Sequence, residues 1–156
     1  MSTRDRDHGR PHQASDGEVQ AAGKVSEAQE WIERARGALY TFHQLIGHAD
    51  LLLDDAVELL RKCDQNDLAE LVRTEVIGRN VIDGRWTFQV VEEFDDGYYS
   101  TAVAANERVL DELMQGRRHV FEAELKEARR THGRAGHEAQ PPRRAPATDD
   151  SASVRR

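Results

Sequence analysis

Between Gln13 and Gln140 the chain has no proline, and all four prolines (Pro11, Pro141, Pro142 and Pro146) lie near the ends. Proline removes a helix N–H and clashes with the preceding turn, so a proline-free interior of this length suits long helices. Cysteine is nearly absent as well. Cys63 is the only one, which excludes an intramolecular disulfide and a disulfide-stapled secreted domain. It follows a run of leucines near an expected helix end and reads as a small packing residue. Long apolar runs are missing: Leu51-Leu52-Leu53 is cut by Asp50, Asp54 and Asp55, far short of the ~20 residues a spanning helix needs. Ser2 to Gly17 carries arginine and histidine but no apolar core region, so it is no secretory signal. The expectation is a cytoplasmic chain with no membrane partner.

Hydrophobic residues make up only 38% of the chain and charged residues 33%, shifted from the usual globular balance toward charge. This is the composition expected when part of a chain does not fold. The net charge is −7, with the acidity concentrated in residues 24–131. An acidic folded part repels phosphate backbones, so nucleic acid is disfavoured as a partner. The arginines of residues 132–156 are diluted among Gly, Pro, Ala and Ser and read as solvated.

Residues 1–23 offer almost nothing to bury and read as a disordered tail. Ser26-Glu27-Ala28-Gln29 fits a capping box and starts the fold in this reading. From there, apolar residues keep a 3-4 alternation through Ile32, Ala35, Leu39, Phe42, Ile46, Ala49, Leu53, Ala56 and Leu60. A second row, Trp31, Ala38, Leu45, Leu52 and Leu59, recurs every seventh residue beside it. Together they make one wide apolar face. The phase does not slip at Gly47, so the spacing predicts a single helix from about Ser26 to Cys63. A polar turn at Asp64-Gln65-Asn66-Asp67 leads into a short helix with Leu68, Leu71, Val72, Val76 and Ile77 on its apolar face. Gly78 follows as a left-handed cap, and Asp83-Gly84 marks another turn.

Trp86, Phe88 and Val90 alternate as in a strand, while Trp86, Val90, Phe94 and Tyr98 fall at helical spacing. A lone strand has no partner elsewhere, so the helix is preferred. It continues through Ala102, Ala105, Val109, Leu113 and Val120 and fades near Arg130, with kinks expected at Gly97 and Gly116. The fold class is therefore all-α. A long helix, a short helix and a long kinked helix pack as an antiparallel bundle over residues 24–131, followed by a second disordered tail over 132–156. Two long helices and one short one cover each other poorly, and a homodimer would complete the core.

Three groups of residues attract a functional reading. On the first long helix, Arg36, Tyr40, His43, Gly47, Asp50 and Asp54 share a face. There His43 suits a proton shuttle or metal ligand, or simply part of a polar bundle edge. Glu92-Glu93-Phe94-Asp95-Asp96 crowds carboxylates at i, i+3 and i, i+4 spacing. These repel unless a cation intervenes, so Glu92, Glu93 and Asp96, with His43 or His119, form a candidate Mg²⁺ or Mn²⁺ set. The Glu-x-x-His pairs of ferritin-like bundles are absent, and His119-x-x-Glu122 has the reversed order. Arg117 and Arg118 could instead answer the carboxylates through a kink or from a second subunit, with Arg85 as a weaker local cation. Trp86, Phe94, Tyr98 and Tyr99, with Arg117 and Arg118, make the expected interaction surface. No P-loop, nucleotide fingerprint, HExxH or paired CxxC is present. The leading reading is a non-enzymatic, self-associating interaction protein that needs no cofactor. The alternative is a metal-dependent bundle hydrolase or oxidoreductase.

The segments Trp31-Ile32-Glu33-Arg34-Ala35-Arg36, Gly78-Arg79-Asn80-Val81, Gly84 to Asp96 and Gly116 to Glu124 resemble a family of small, uncharacterised actinobacterial helical proteins. The resemblance covers roughly residues 28–137. That family has no established activity, so the resemblance implies a cytoplasmic bacterial protein and assigns no site residue.

Overall fold

The computed structural model describes residues 8–141. The chain is all-α: α1 (Asp16–Lys62), α2 (Asn66–Glu75), α3 (Thr87–Phe94), a π-helical turn (Asp95–Tyr99), α4 (Ser100–Met114) and α5 (Val120–Arg129). The stretch from α3 through the π turn to α4 is one kinked helix of 28 residues. No strand forms among the described residues, and the Trp86 to Phe94 ambiguity resolves as helix. Its start is held by the Gln89 side chain, whose Oε1 accepts the Trp86 backbone N–H at 2.8 Å.

α1 runs unbroken through Gly47, as the unslipped apolar phase predicts, and at 47 residues it is about 70 Å long. It begins earlier than the sequence suggests. Ser15 and Glu18 form the capping box: the Glu18 N–H reaches Ser15 Oγ at 3.3 Å, and the Ser15 N–H reaches the Glu18 carboxylate at 2.7 Å. Ser26 caps nothing and instead donates its hydroxyl to Asn106 Oδ1 across the bundle at 3.2 Å.

The boundaries expected at residues 24 and 131 are thus too narrow. Val19 and Ala22 are buried with Leu110, Met114 and Val120 in the main core cluster, and Pro11 is also fully buried. Arg10 holds this N-terminal hook down through a two-pronged contact with Glu124 on α5. At the other end, the Lys126 ammonium donates to the Ala139 carbonyl at 3.1 Å and buries Ala139. Arg130, just past the end of α5, also donates to the His137 carbonyl at 3.4 Å, so residues 137–139 lie back against the helix. The parts of the two expected disordered tails at residues 1–7 and 142–156 lie outside the described residues.

The contacts of α1 run antiparallel to the kinked helix: Ser26 meets Asn106, Glu33 meets Tyr99, Arg36 meets Asp95 and His43 meets Thr87. Beyond His43, α1 is covered by α2 and by the loop after it, where Asp50 Oδ1 accepts the Gly78 N–H at 2.9 Å. Gly78 is left-handed (φ +71°), as a helix-terminating glycine should be. Gly84 (φ +71°) closes the Ile82–Arg85 turn.

Both expected kinks occur, in different forms. Around Gly97 the helix widens into the π turn, and the hydroxyls of Ser100 and Thr101 bond the carbonyls of Asp96 and Gly97 at 2.7 and 2.9 Å. At Gly116 the helix stops altogether. Gln115, Gly116 and His119 are all left-handed, and the N–H groups of Gln115 and Gly116 both close onto the Leu110 carbonyl. The run to Arg130 is thereby divided, and α5 becomes a separate helix lying against the first turns of α1.

Candidate functional site

On the polar face of α1, Arg36, His43, Gly47 and Asp50 are half-buried while Tyr40 and Asp54 are exposed, and Arg36 and His43 are where the kinked helix docks. The Arg36 guanidinium reaches the Asp95 carboxylate in fork geometry, Nε to Oδ1 at 2.7 Å and Nη2 to Oδ2 at 2.8 Å. Its central carbon lies over the rings of Tyr99 at 4.7 Å and Tyr40 at 5.0 Å. Such stacked, bidentate pairing is what arginine does and lysine does not. The hydrogen bond from Arg36 holds the Asp95 carboxyl below its ordinary range. Tyr99 donates its phenol to Glu33 at 2.6 Å, and that bond pushes the Tyr99 hydroxyl pKa up. His43 Nδ1 lies 2.7 Å from the hydroxyl of buried Thr87. The imidazole is thereby committed to holding the start of α3.

The carboxylate run separates into individually partnered or solvated groups. Asp95 goes to Arg36, Glu93 to Arg85, and Glu92 and Asp96 are exposed. The local cation, Arg85, is one of the two that answer the cluster. The other, Arg36, was not expected in that role, although the sequence places it on the docking face. Arg117 and Arg118 do not reach the cluster within the chain, which corrects the fold-back expectation. The left-handed residues at 115–116 turn Arg117 toward the N-terminal hook, where its Nη1 donates to the Gly9 carbonyl at 2.6 Å. Arg118 is exposed. His119 lies beside Glu122 at 3.9 Å, well along the chain from the carboxylate run. Among the described residues, no group of three or more His, Cys, Asp or Glu side chains converges as metal ligands would. The set Glu92, Glu93, Asp96, His43 and His119 is not brought together.

Of the expected interaction surface, Trp86, Phe94 and Tyr99 are half-buried against the bundle, while Tyr98 is 63% exposed. The larger apolar surface lies elsewhere. In the row Trp31, Ala38, Leu45, Leu52, Leu59 on α1, every member is exposed, the four large side chains from 53% at Leu52 to 63% at Leu45. Its neighbour row, Ile32, Leu39, Ile46, Leu53 and Leu60, is half-buried beneath the other helices. The seven-residue period already shows the open row in the sequence. It does not show which half of the wide face the chain's own helices cover.

A cleft of about 820 Å³ lies between the N-terminal hook, α5 and the C-terminal turn. Its charged groups are spoken for, with Arg10 paired to Glu124 and Glu127 held by Arg130 and His132. No helix among the described residues is long and apolar enough to cross a membrane. No family model, curated protein or solved structure matches this chain, so the resemblance to the actinobacterial family rests on the quoted segments alone.

Proposed function

We propose that this chain is a non-enzymatic helical interaction protein that self-associates as a dimer through the open apolar row of α1. The observation that carries the reading is the uninterrupted exposure of Trp31, Leu45, Leu52 and Leu59 along one line of a rigid helix. Monomeric proteins rarely leave so extended an apolar strip in water. Burying each of these side chains from its present exposure gains on the order of 1 kcal/mol or more. Eight of them across a twofold interface gain on the order of 8 kcal/mol or more, a sum of the same size as the cost of association it must offset. The metal-dependent alternative draws no support from the side-chain geometry, because its five residues point to separate partners or to solvent.

Sedimentation equilibrium over a concentration series tests the reading. The unaltered chain is expected to dimerise, and Leu45→Glu with Leu52→Glu is expected to be monomeric at the same helicity, since both sites are exposed in the single chain. A wild-type chain that is monomeric at every concentration would sink the proposal.

A further inference from the structure

We infer that the dimer pairs α1 with α1 of a second copy in antiparallel orientation, in one register selected by charge; this rests on the self-association reading above. The open row alternates at steps of three and four with Ala28, Ala35, Phe42, Ala49 and Ala56, of which all but half-buried Ala56 are exposed. That is a coiled-coil seam from residue 28 to residue 59, about 48 Å long. One flank of the seam is the row beneath α2 to α4. The other flank carries Glu27, Arg34, Thr41, His48, Asp55 and Lys62, seven residues apart and all exposed.

Read in opposite directions, this flank complements itself. An antiparallel partner sets Glu27 against Lys62, Arg34 against Asp55, and Thr41 against His48. The twofold axis makes each contact twice. Sliding the partner by one heptad in either direction opposes Glu27 to Asp55, or Arg34 to Lys62. A parallel partner would set this flank against the opposite one, which the chain's own helices occupy. Within one chain Arg34 stacks on Trp31 at 4.7 Å. Neither Arg34 nor Asp55 makes an ion pair among the described residues.

The same register fits the seam by size. Trp31 meets Ala56, Leu52 meets Ala35, and Leu59 meets Ala28. Phe42 meets Leu45 beside the axis. Each large side chain away from the axis thus faces a methyl group, as close interdigitation of two helices needs.

Cross-linking decides the orientation. In a Cys63→Ala background, chains carrying Arg34→Cys and chains carrying Asp55→Cys, differently tagged, are mixed and treated with a short bis-maleimide. The expected product joins position 34 of one chain to position 55 of the other. Copies of position 34 should not join, since they lie about 30 Å apart in this register. Arg34→Asp alone should weaken dimerisation roughly tenfold, because two attractive contacts become repulsive. Adding Asp55→Arg to the same chain should restore most of the loss, a rescue that no contact within one chain could produce. Cross-links only between like positions would overturn the orientation while leaving self-association intact. A dimer that yields no cross-link and ignores both charge changes would show that α1 is not the interface. A monomer at all concentrations would remove the underlying reading as well.

Discussion

Met114 is the most informative side chain to remove. It is 1% exposed and packs with Val19 and Ala22 from the first turns of α1, Leu110 from α4 and Val120 from α5. Three elements therefore meet on one residue, with α1 far in sequence from the other two. Met114→Ala should cost roughly 2–5 kcal/mol, the range for deleting a buried aliphatic side chain and leaving a partly collapsed cavity. Val19→Ala, which removes two methyl groups at a site 2% exposed, should cost about 2 kcal/mol. Because the two sites share a cluster, the double variant should cost less than the two singles together, by about 0.5 kcal/mol or more. At roughly 4 °C per kcal/mol for a domain of this size, Met114→Ala should lower Tm by roughly 10 °C or more. Thermal and urea unfolding followed by circular dichroism would measure this, at one fixed concentration because the proposed dimerisation would itself add stability. A costly Met114→Ala with a neutral Val19→Ala would mean that the first turns of α1 do not dock in solution. Two neutral variants would mean that the cluster does not form. Deleting residues 1–23 removes Val19, Ala22 and the capping box together, so it should cost at least as much as Val19→Ala. Composition alone had made that segment look dispensable.

Three other outcomes are expected. Hydrogen bonds, first from Arg130 and then from His132, hold the Glu127 carboxyl down to about 2. Its folded value lies below its unfolded one, so its contribution is present above about pH 4.5 and is lost as pH falls toward 2. Glu127→Gln should flatten the acid limb of a Tm-against-pH curve in that window, and an unchanged limb would remove the linkage. Gly78→Ala should cost about 1 kcal/mol in urea unfolding from left-handed strain alone, since nothing lies within 4 Å of an added Cβ. Gly78→Asn should cost less. Mg²⁺, Mn²⁺ and Fe²⁺ should leave Tm unmoved, whereas a saturable rise with any of them would revive the alternative reading, because bound metal stabilises by mass action.

Much of this fold is legible in the sequence, where local rules dominate. The unbroken phase through Gly47, the cap at Gly78, the turn at Asp83-Gly84 and the disturbance at Gly97 all follow from spacing and backbone freedom. The early helix start is also written locally, as Ser15-x-x-Glu18. It is masked by the polar composition around it, since Val19 and Ala22 look too sparse to anchor anything. Their burial depends on Leu110 and Met114, some ninety residues away, and no short window contains both. The end of the helix at Met114 was harder to foresee. Gly116 alone predicts a kink, and the full stop needs Gln115 and His119 to adopt left-handed conformations that most residues avoid. The carboxylate cluster was misleading for a similar reason. Its spacing signals a demand for cations, but Arg36, fifty-nine positions from Asp95, supplies one of them through the antiparallel pairing.

The open row on α1 is a consequence of how the polar seam is satisfied. Arg36, His43 and Asp50 stand seven residues apart and hold, in turn, the π turn, the start of α3 and the loop after α2. They fix the rotation of α1 against everything it carries. Turning α1 to cover Leu45, Leu52 and Leu59 with its own helices would strip these contacts and leave polar groups buried or unpaired, at about 1–3 kcal/mol for each group affected. A leucine brought from its present exposure into the core returns on the order of 1 kcal/mol, and the turn would at the same time expose the Ile32 to Leu60 row. The balance favours the rotation observed. The chain holds one half of a wide apolar face with polar bonds along its edge and leaves the other half open. Covering that half therefore requires no change in the single chain's packing, and pairing should proceed as docking of preformed helices rather than as coupled folding.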